Sequence, residues 1–169
     1  MTRTGFAEYL SKRDFNKTPE PHGGKTPASD RPVFVVQKHD ASTLHYDFRL
    51  ECEGALLSWA VPKGPSTDPS VKRLAIRTED HPLDYASFEG VIPEGHYGAG
   101  TVLVWDGGPY RNLMAEKSGP KSMAEALDDG HIEVWLEGEK LRGGYALIRT
   151  GSDKGEKANW LLIKMDDDE

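Results

Sequence analysis

Two histidines and one aspartate stand in a pattern that could hold a metal ion. His45 and Asp47 alternate with apolar residues in the run Leu44–Cys52, which is typical of a β-strand, so their side chains share one face. His39 ends the preceding apolar run, and residues 40–43 are suited to a turn between antiparallel strands. Two imidazoles and a carboxylate on one small patch can bind a divalent metal and leave coordination positions open.

The alternation also predicts how the two strands of this hairpin are aligned. Opposed residues share a face of a sheet, and a slip by one residue would turn polar side chains into the core. The expected pairs are His39 with His45, Gln37 with Asp47, and Val35 with Arg49. Arg49 then lies one pleat from the metal ligands, at a distance suited to a bound anion. Cys52 falls on the apolar face and is expected to be buried and inert.

Further cations follow in the next predicted strands. Lys63 stands at a strand end, and Arg73 and Arg77 share one face of the strand after it. His81 comes next, and Pro82 restricts it to an extended conformation. Arginine can bind two phosphoryl oxygens at once, and histidine can give a proton near neutral pH. Taken singly, such residues are also common in surface salt bridges, and the outward face of an antiparallel strand is often merely solvated.

The composition indicates one globular domain. The chain has 169 residues, of which 37% are hydrophobic and 29% charged, and its formal net charge is −7. The acidic balance argues against a protein that coats DNA, although it allows a pocket that grips one or two phosphates. We find no apolar signal segment and no apolar run long enough for a transmembrane helix. The single cysteine fits a reducing cytoplasm.

Short β-type runs bounded by glycine, proline or asparagine predict a mainly β fold, an antiparallel barrel or sandwich of about eight strands. One or two short helices are expected, at 6–12 and at 123–127, the second ending at Gly130. We predict an N-terminal helix and irregular arm at 1–32, the β domain at 33–165 and an acidic tail at 166–169. The predicted strands are Val33–His39, Leu44–Cys52, Ala55–Val61, Arg73–Thr78, Thr101–Asp106, Ile132–Leu136, Tyr145–Arg149 and Trp160–Met165.

Several ordered motifs together resemble one family, the 3′-phosphoesterase domain of bacterial DNA ligase D and its free-standing relatives. The resemblance covers the chain from about Tyr9 to the last strand. The motifs are Arg13-Asp-Phe15, Gln37-Lys-His39, His45-Tyr-Asp-Phe-Arg-Leu50, Trp59-Ala-Val-Pro-Lys-Gly-Pro65, Glu79-Asp-His-Pro82 and Phe88-Glu-Gly-Val-Ile-Pro-Glu-Gly-His-Tyr-Gly-Ala-Gly100.

The resemblance implies a compact β-barrel that acts on 3′ ends of DNA with manganese, or with cobalt or zinc in the same ligand set. Such an enzyme removes a 3′-terminal ribonucleoside and then the remaining 3′-phosphate. A DNA ligase, a polymerase and a Ku-type end-binding protein are the expected partners. The residues carried over are His39, His45 and Asp47 as metal ligands, Arg49 and His81 as phosphate contacts, Gln37, Lys63, Arg73 and Tyr85 as residues needed for activity, and Arg13, Asp14 and Glu20 as an arm that helps the ribonuclease step.

Two other classes of function stay open from the sequence. A His-x-Asp pair with a distant histidine, such as His96 or His131, also marks Fe(II) oxygenases. A non-catalytic module that binds DNA ends would show tight binding without turnover. The acidic balance makes such unaided binding weak, because few phosphates can be neutralised.

Overall fold

The computed structural model describes residues 7–21, 31–151 and 157–166. Within these ranges it contains nine strands, two α-helices and two short 3₁₀ helices, the latter at Leu83–Ser87 and Leu113–Glu116. The strands are β1 (Val33–Asp40), β2 (Leu44–Cys52), β3 (Ala55–Val61), β4 (Lys72–Pro82), β5 (Gly90–Ile92), β6 (Gly100–Asn112), β7 (His131–Glu137), β8 (Arg142–Arg149) and β9 (Asn159–Lys164), and the helices are α1 (Ala7–Ser11) and α2 (Met123–Asp129).

Eight of the strands close into an antiparallel barrel. Their order is β1-β2-β3-β4-β9-β8-β7-β6, and β6 pairs with β1 to complete the circle. The short β5 pairs with the first residues of β6. The predicted fold class is therefore confirmed. In the described part of the chain, no helix has the length and apolar character needed to cross a membrane.

The inside of the barrel is a large apolar core. Phe48, Trp59 and Trp160 are almost wholly buried there, and the two indole rings meet edge to face with centroids 5.5 Å apart. Cys52 lies in the same core, where burial raises the pKa of its thiol to about 12. The expectation of a buried cysteine is confirmed, and the raised pKa disfavours the thiolate, which is the reactive species.

A second apolar cluster lies on the outer face of the sheet. Leu56 and Leu57 are neighbours on β3, so their side chains point to opposite faces. Leu57 belongs to the core, whereas Leu56 packs with Tyr9 and Tyr85. Through this outer cluster, the N-terminal segment 7–21 packs against the barrel and covers the polar face of the β1–β2 hairpin.

Most strands run further than the sequence indicates. The bounds of β2 and β3 agree with the prediction, but β6 continues past Gly107 and Gly108, which we expected to end it. Glycine fits there because a Cβ atom at Gly108 would collide with the backbone carbonyl of Glu137. β5 was not predicted, because it is only three residues long and lies inside a glycine-rich segment.

Both predicted helices are present among the described residues. Ser122 and Glu125 form a reciprocal capping box at the start of α2, and Gly130 ends it with a positive φ of 80°. Residues 12–21, which follow α1, contain no helix or strand. The remainder of the arm, 22–30, and the tail residues 167–169 lie outside the described residues.

Candidate active site

The β1–β2 hairpin has the register that the alternation predicts. The pairs are His39 with His45, Gln37 with Asp47, and Val35 with Arg49. One potential ligand atom from each of His39, His45 and Asp47 lies within 4.8 Å of the other two. Asp47 Oδ1 is 3.2 Å from His45 Nε2, and Asp47 Oδ2 is 3.5 Å from His39 Nδ1. The three side chains are therefore close enough to bind one ion.

Backbone carbonyls orient both imidazole rings toward the aspartate. The carbonyl of Gly98 lies 2.7 Å from His39 Nε2, and the carbonyl of Thr43 lies 3.3 Å from His45 Nδ1. A carbonyl only accepts hydrogen bonds, so His39 Nε2 and His45 Nδ1 carry the ring protons. The lone pairs of His39 Nδ1 and His45 Nε2 are then directed at Asp47, which is the arrangement by which proteins prepare histidine ligands for a metal.

The charges around Asp47 keep it ionised. Burial alone would raise its pKa, but the Arg49 guanidinium and the adjacent imidazoles of His39 and His45 hold that pKa well below its ordinary value. Burial also opposes charge on His45, yet its partner Asp47 raises the pKa of this histidine. A buried carboxylate between two imidazoles suits a dication, and this donor set fits a divalent metal.

Arg49 occupies the centre of the polar face. Its side chain is almost fully buried and donates from Nε to Gln37 Oε1 at 2.7 Å and from Nη1 to Ser58 Oγ at 2.8 Å. Its Nη2 atom lies 3.5 Å from Asp47 Oδ2. The Gln37 amide donates in turn to two backbone carbonyls, at and just after the Leu83–Ser87 3₁₀ helix. The guanidinium is thus held rigidly beside the metal ligands, which excludes the reading of a merely solvated face.

Ser58 is a site residue that the sequence interpretation missed. It pairs with Arg49 across β2 and β3, so it lies on the same face. The signal was present, because the bounds of β3 were predicted correctly and only the register of the β2–β3 hairpin had not been worked out.

His81 lies against Arg49 in a fully enclosed setting. Its Nδ1 atom is 3.1 Å from Arg49 Nη1 and 3.0 Å from the carbonyl of Glu79. Burial, the Arg49 charge and then the Arg13 charge hold the pKa of His81 well below 6.5. Within the described residues, Nε2 of His81 makes no hydrogen bond with a protein group, so it is the nitrogen left for a ligand.

This neutral histidine predicts a loss of stability in acid. The unfolded chain binds a proton at His81 near pH 6.5 while the folded chain does not, so the free energy of unfolding falls as the pH drops below that value. Between pH 7.5 and pH 5, in EDTA, we expect the wild type to lose at least about 1 kcal/mol more than His81→Gln. Urea unfolding at the two pH values measures this difference. The exposed His131→Gln serves as the control, and equal losses in all three proteins would contradict the prediction.

A buried ionic network attaches the N-terminal segment to the site. Arg13 donates from Nε to Glu20 Oε2 at 3.0 Å and from Nη1 to Glu79 Oε2 at 3.2 Å. The Tyr85 hydroxyl donates to the same oxygen of Glu20 at 2.7 Å. Burial, partly opposed by Arg49, raises the pKa of Tyr85 well above its ordinary value, so the phenol stays protonated. The sequence interpretation assigned no site role to Glu79, because no local pattern indicates that it binds Arg13.

These groups surround one pocket of about 320 Å³. Its lining includes the three potential metal ligands together with Arg13, Arg49, His81, Tyr85 and Tyr97. Gln37 and Glu20 lie behind it and support Arg49, Arg13 and Tyr85. The structure therefore brings together nine of the twelve predicted site residues, either at the pocket or directly behind it.

Three predicted site residues lie elsewhere. Asp14 is exposed and accepts a hydrogen bond from the backbone N–H of Asn16. Lys63 is exposed beyond the end of β3. Arg73 is two residues from Ala75 on the same strand, so the two side chains share a face. Ala75 belongs to the barrel core, so Arg73 is on the sheet face opposite to the pocket.

The distant histidines considered for an oxygenase site are also outside the pocket lining. His96 is partly buried in the loop before β6, and His131 begins β7, where its Nε2 atom lies 2.8 Å from Glu133. The third potential ligand beside the His-x-Asp pair is therefore His39, at the position that the hairpin register predicts.

The sequence matches one family model, described as the DNA Ligase D 3′-phosphoesterase domain, over residues 37–149. It is 54% identical over 166 residues to the multifunctional non-homologous end joining protein LigD of Pseudomonas aeruginosa. It is 48% identical over 161 residues to the corresponding DNA repair protein of Mycobacterium tuberculosis. These alignments cover 97% and 95% of this chain but only 19% and 20% of the relatives, so the chain spans about a fifth of their length.

Proposed function

Because the chain belongs to the DNA ligase D 3′-phosphoesterase family, we propose that it is a metal-dependent enzyme that trims the 3′ ends of DNA. It removes a 3′-terminal ribonucleoside and then the 3′-phosphate, which leaves a 3′-hydroxyl for repair and ligation. The observation that carries the proposal is the orientation of two histidines toward a buried aspartate, with a fixed arginine beside them.

We propose that His39, His45 and Asp47 hold the metal, with Mn²⁺ as the first choice and Co²⁺ or Zn²⁺ as alternatives. When bound, such an ion acts as a Lewis acid toward a phosphate oxygen. The chain's own contribution is to keep Asp47 ionised and to orient both imidazoles toward it. It also shields the site from bulk water by the N-terminal segment.

Arg49 and His81 are proposed to bind the reacting phosphate. The Arg49 guanidinium is fixed by Gln37 and Ser58, so it can neutralise a phosphate oxygen without losing further side-chain freedom. His81 Nδ1 contacts both the Arg49 guanidinium, which only donates, and the Glu79 carbonyl, which only accepts. The proposed role uses the ring form in which Nδ1 accepts from Arg49 and Nε2 carries the proton. That N–H group can donate to a second phosphate oxygen. The depressed pKa favours this hydrogen-bonding role over proton transfer to the leaving oxygen in the free enzyme.

The two reactions differ in the bond that breaks. In the first, water adds to phosphorus and the bond to the 5′ oxygen of the terminal ribonucleoside breaks, which releases a nucleoside and leaves a 3′-phosphate. In the second, water adds again and the bond to the DNA 3′ oxygen breaks, which releases inorganic phosphate. Only the first has a 2′-hydroxyl to recognise, and we propose that the segment with Arg13, Asp14 and Glu20 serves that step.

The cellular role is proposed from the relatives, whose names state a function in non-homologous end joining. The substrates are then primer-template ends that carry a ribonucleotide or a 3′-phosphate, and a DNA ligase, a polymerase and a Ku-type protein are the proposed partners. Lys63 and Arg73 lie away from the pocket. Any contact that they make with DNA therefore involves the part of the duplex beyond the reacting phosphate.

A direct assay tests the proposed function. A primer-template with one 3′-terminal ribonucleotide is incubated with the protein and Mn²⁺, Co²⁺, Zn²⁺ or EDTA, and the 3′ end is followed on a gel. We expect metal-dependent loss of one nucleoside, then loss of the phosphate, and no change in EDTA. A folded protein that leaves the end intact with every metal would refute the proposal. Oxygen uptake with a 2-oxo acid and Fe²⁺ would then favour an oxygenase.

A further inference from the structure

From the position and exposure of Tyr97, we infer that its ring is a stacking surface for the base of the nucleoside that leaves. This inference rests on the proposed function and names the part of the substrate that one wall of the pocket recognises. Tyr85 and Tyr97 both line the pocket, yet Tyr85 is 2% exposed and Tyr97 is 48% exposed. Tyr97 therefore presents a large aromatic surface to whatever enters.

The ring of Tyr97 is fixed although it is exposed. Its hydroxyl donates to Glu79 Oε1 at 3.3 Å and accepts from Lys12 Nζ at 3.4 Å. Two glycines with positive φ, 84° at Gly95 and 78° at Gly98, shape the loop around it. A ring that is held in advance loses little freedom when a flat partner stacks on it.

The loop also sets the distance between this ring and the metal ligands. The residue after Tyr97 is Gly98, whose carbonyl accepts the proton of His39 Nε2 at 2.7 Å. The same short segment therefore orients a metal ligand and places an aromatic wall next to it. Arg49, His81 and Tyr97 line the same pocket, so a group that projects from a phosphate bound by Arg49 and His81 enters the space that Tyr97 borders.

The chemistry of the pocket indicates which group that is. Most of its lining residues carry ionic or hydrogen-bonding groups, which suits a phosphate, but a phosphate has no flat apolar surface to place on a ring. A nucleobase does, and stacking on aromatic side chains is a general way to bind unpaired bases. Lys12 Nζ lies 4.4 Å from the ring centroid and adds positive charge for the adjoining phosphate.

The two proposed reactions separate this role from the chemical step. Removal of a ribonucleoside has a base on the leaving group, whereas removal of a 3′-phosphate has none. A residue that binds the leaving base should affect the first reaction more than the second. It should also have no effect on a substrate whose terminal ribose lacks a base.

The test compares Tyr97→Leu, Tyr97→Phe and the wild type on three DNA ends: a 3′-ribonucleotide, a 3′-ribose without a base and a 3′-phosphate. We expect Tyr97→Leu to lower kcat/KM for the ribonucleotide about tenfold, and by at least fivefold more than for the phosphate end. Tyr97→Phe keeps the ring and should recover most of the loss. On the ribose without a base, the wild type should be as slow as Tyr97→Leu.

The control is His96→Leu, which changes the neighbouring, partly exposed ring outside the pocket lining and should leave all three rates unchanged. Mn²⁺ binding and the melting temperature of each variant show that the site and the fold are intact. Equal losses on all three ends, or wild-type turnover that is indifferent to the base, would overturn the Tyr97 assignment alone. A wild type that processes none of the ends would refute the proposed function and, with it, this inference.

Discussion

Replacing Asp47 with asparagine is expected to abolish both reactions on DNA ends and to lower Mn²⁺ affinity by about 100-fold or more. The amide has the shape of the carboxylate but no charge, and it offers one oxygen where Asp47 offers one to each imidazole. Its NH₂ group would also donate a hydrogen bond to one of the imidazole nitrogens and so occupy a lone pair that the metal needs. Calorimetric titration with Mn²⁺ and the gel assay on a 3′-ribonucleotide end measure the two losses.

Asp40→Asn is the matched control for this prediction. Asp40 ends β1 in the same hairpin, is exposed and does not line the pocket. The same change there should leave Mn²⁺ binding and both rates within about twofold of the wild type. If Asp47→Asn bound Mn²⁺ as well as Asp40→Asn does, the metal would have to lie elsewhere, and the assignment of the three ligands would be wrong.

The central hairpin could be predicted because its sequence contains the necessary information locally. Residues of β2 alternate without interruption from His45 to Cys52, and a strand with two chemically different faces has only one acceptable register. That single constraint placed His39 opposite His45 and Gln37 opposite Asp47. The bounds of β3 followed from the turn residues that flank a β-type run, Gly54 before it and Pro62 after it.

The contacts that bury the polar face of the β1–β2 hairpin could not be predicted, because they join residues that are distant in sequence. Glu79 meets Arg13 across 66 positions, and Tyr85 meets Glu20 across 65. Nothing in the local pattern of either segment shows its partner. The sequence alone therefore left a buried ionic site and a solvated polar face equally open, and burial of Asp47 and Arg49 decided between them.

A positive charge at position 49 without the shape of the Arg49 guanidinium is expected to be insufficient for activity. In Arg49→Lys the ammonium cannot replace the donors that reach Gln37, Ser58 and His81 together, so we expect the rates on both DNA ends to fall by about 100-fold. Mn²⁺ binding should persist, since the three ligands remain. Single-turnover rates and Mn²⁺ titrations measure these two properties separately.

A neutral substitution at the same position tests the structural part of this argument. Arg49→Ala leaves Asp47 buried without its nearest guanidinium, so the metal-free protein should lose about 3 kcal/mol of stability. Saturating Mn²⁺ should restore part of it, because the ion supplies positive charge at the same carboxylate.

Arg77→Lys, which alters another half-buried guanidinium outside the pocket, is the control and should affect neither rate nor metal dependence. If Arg49→Lys were fully active, a fixed guanidinium could not be what holds the phosphate, and the cationic role would pass to Arg13, the other arginine among the described residues that line the pocket.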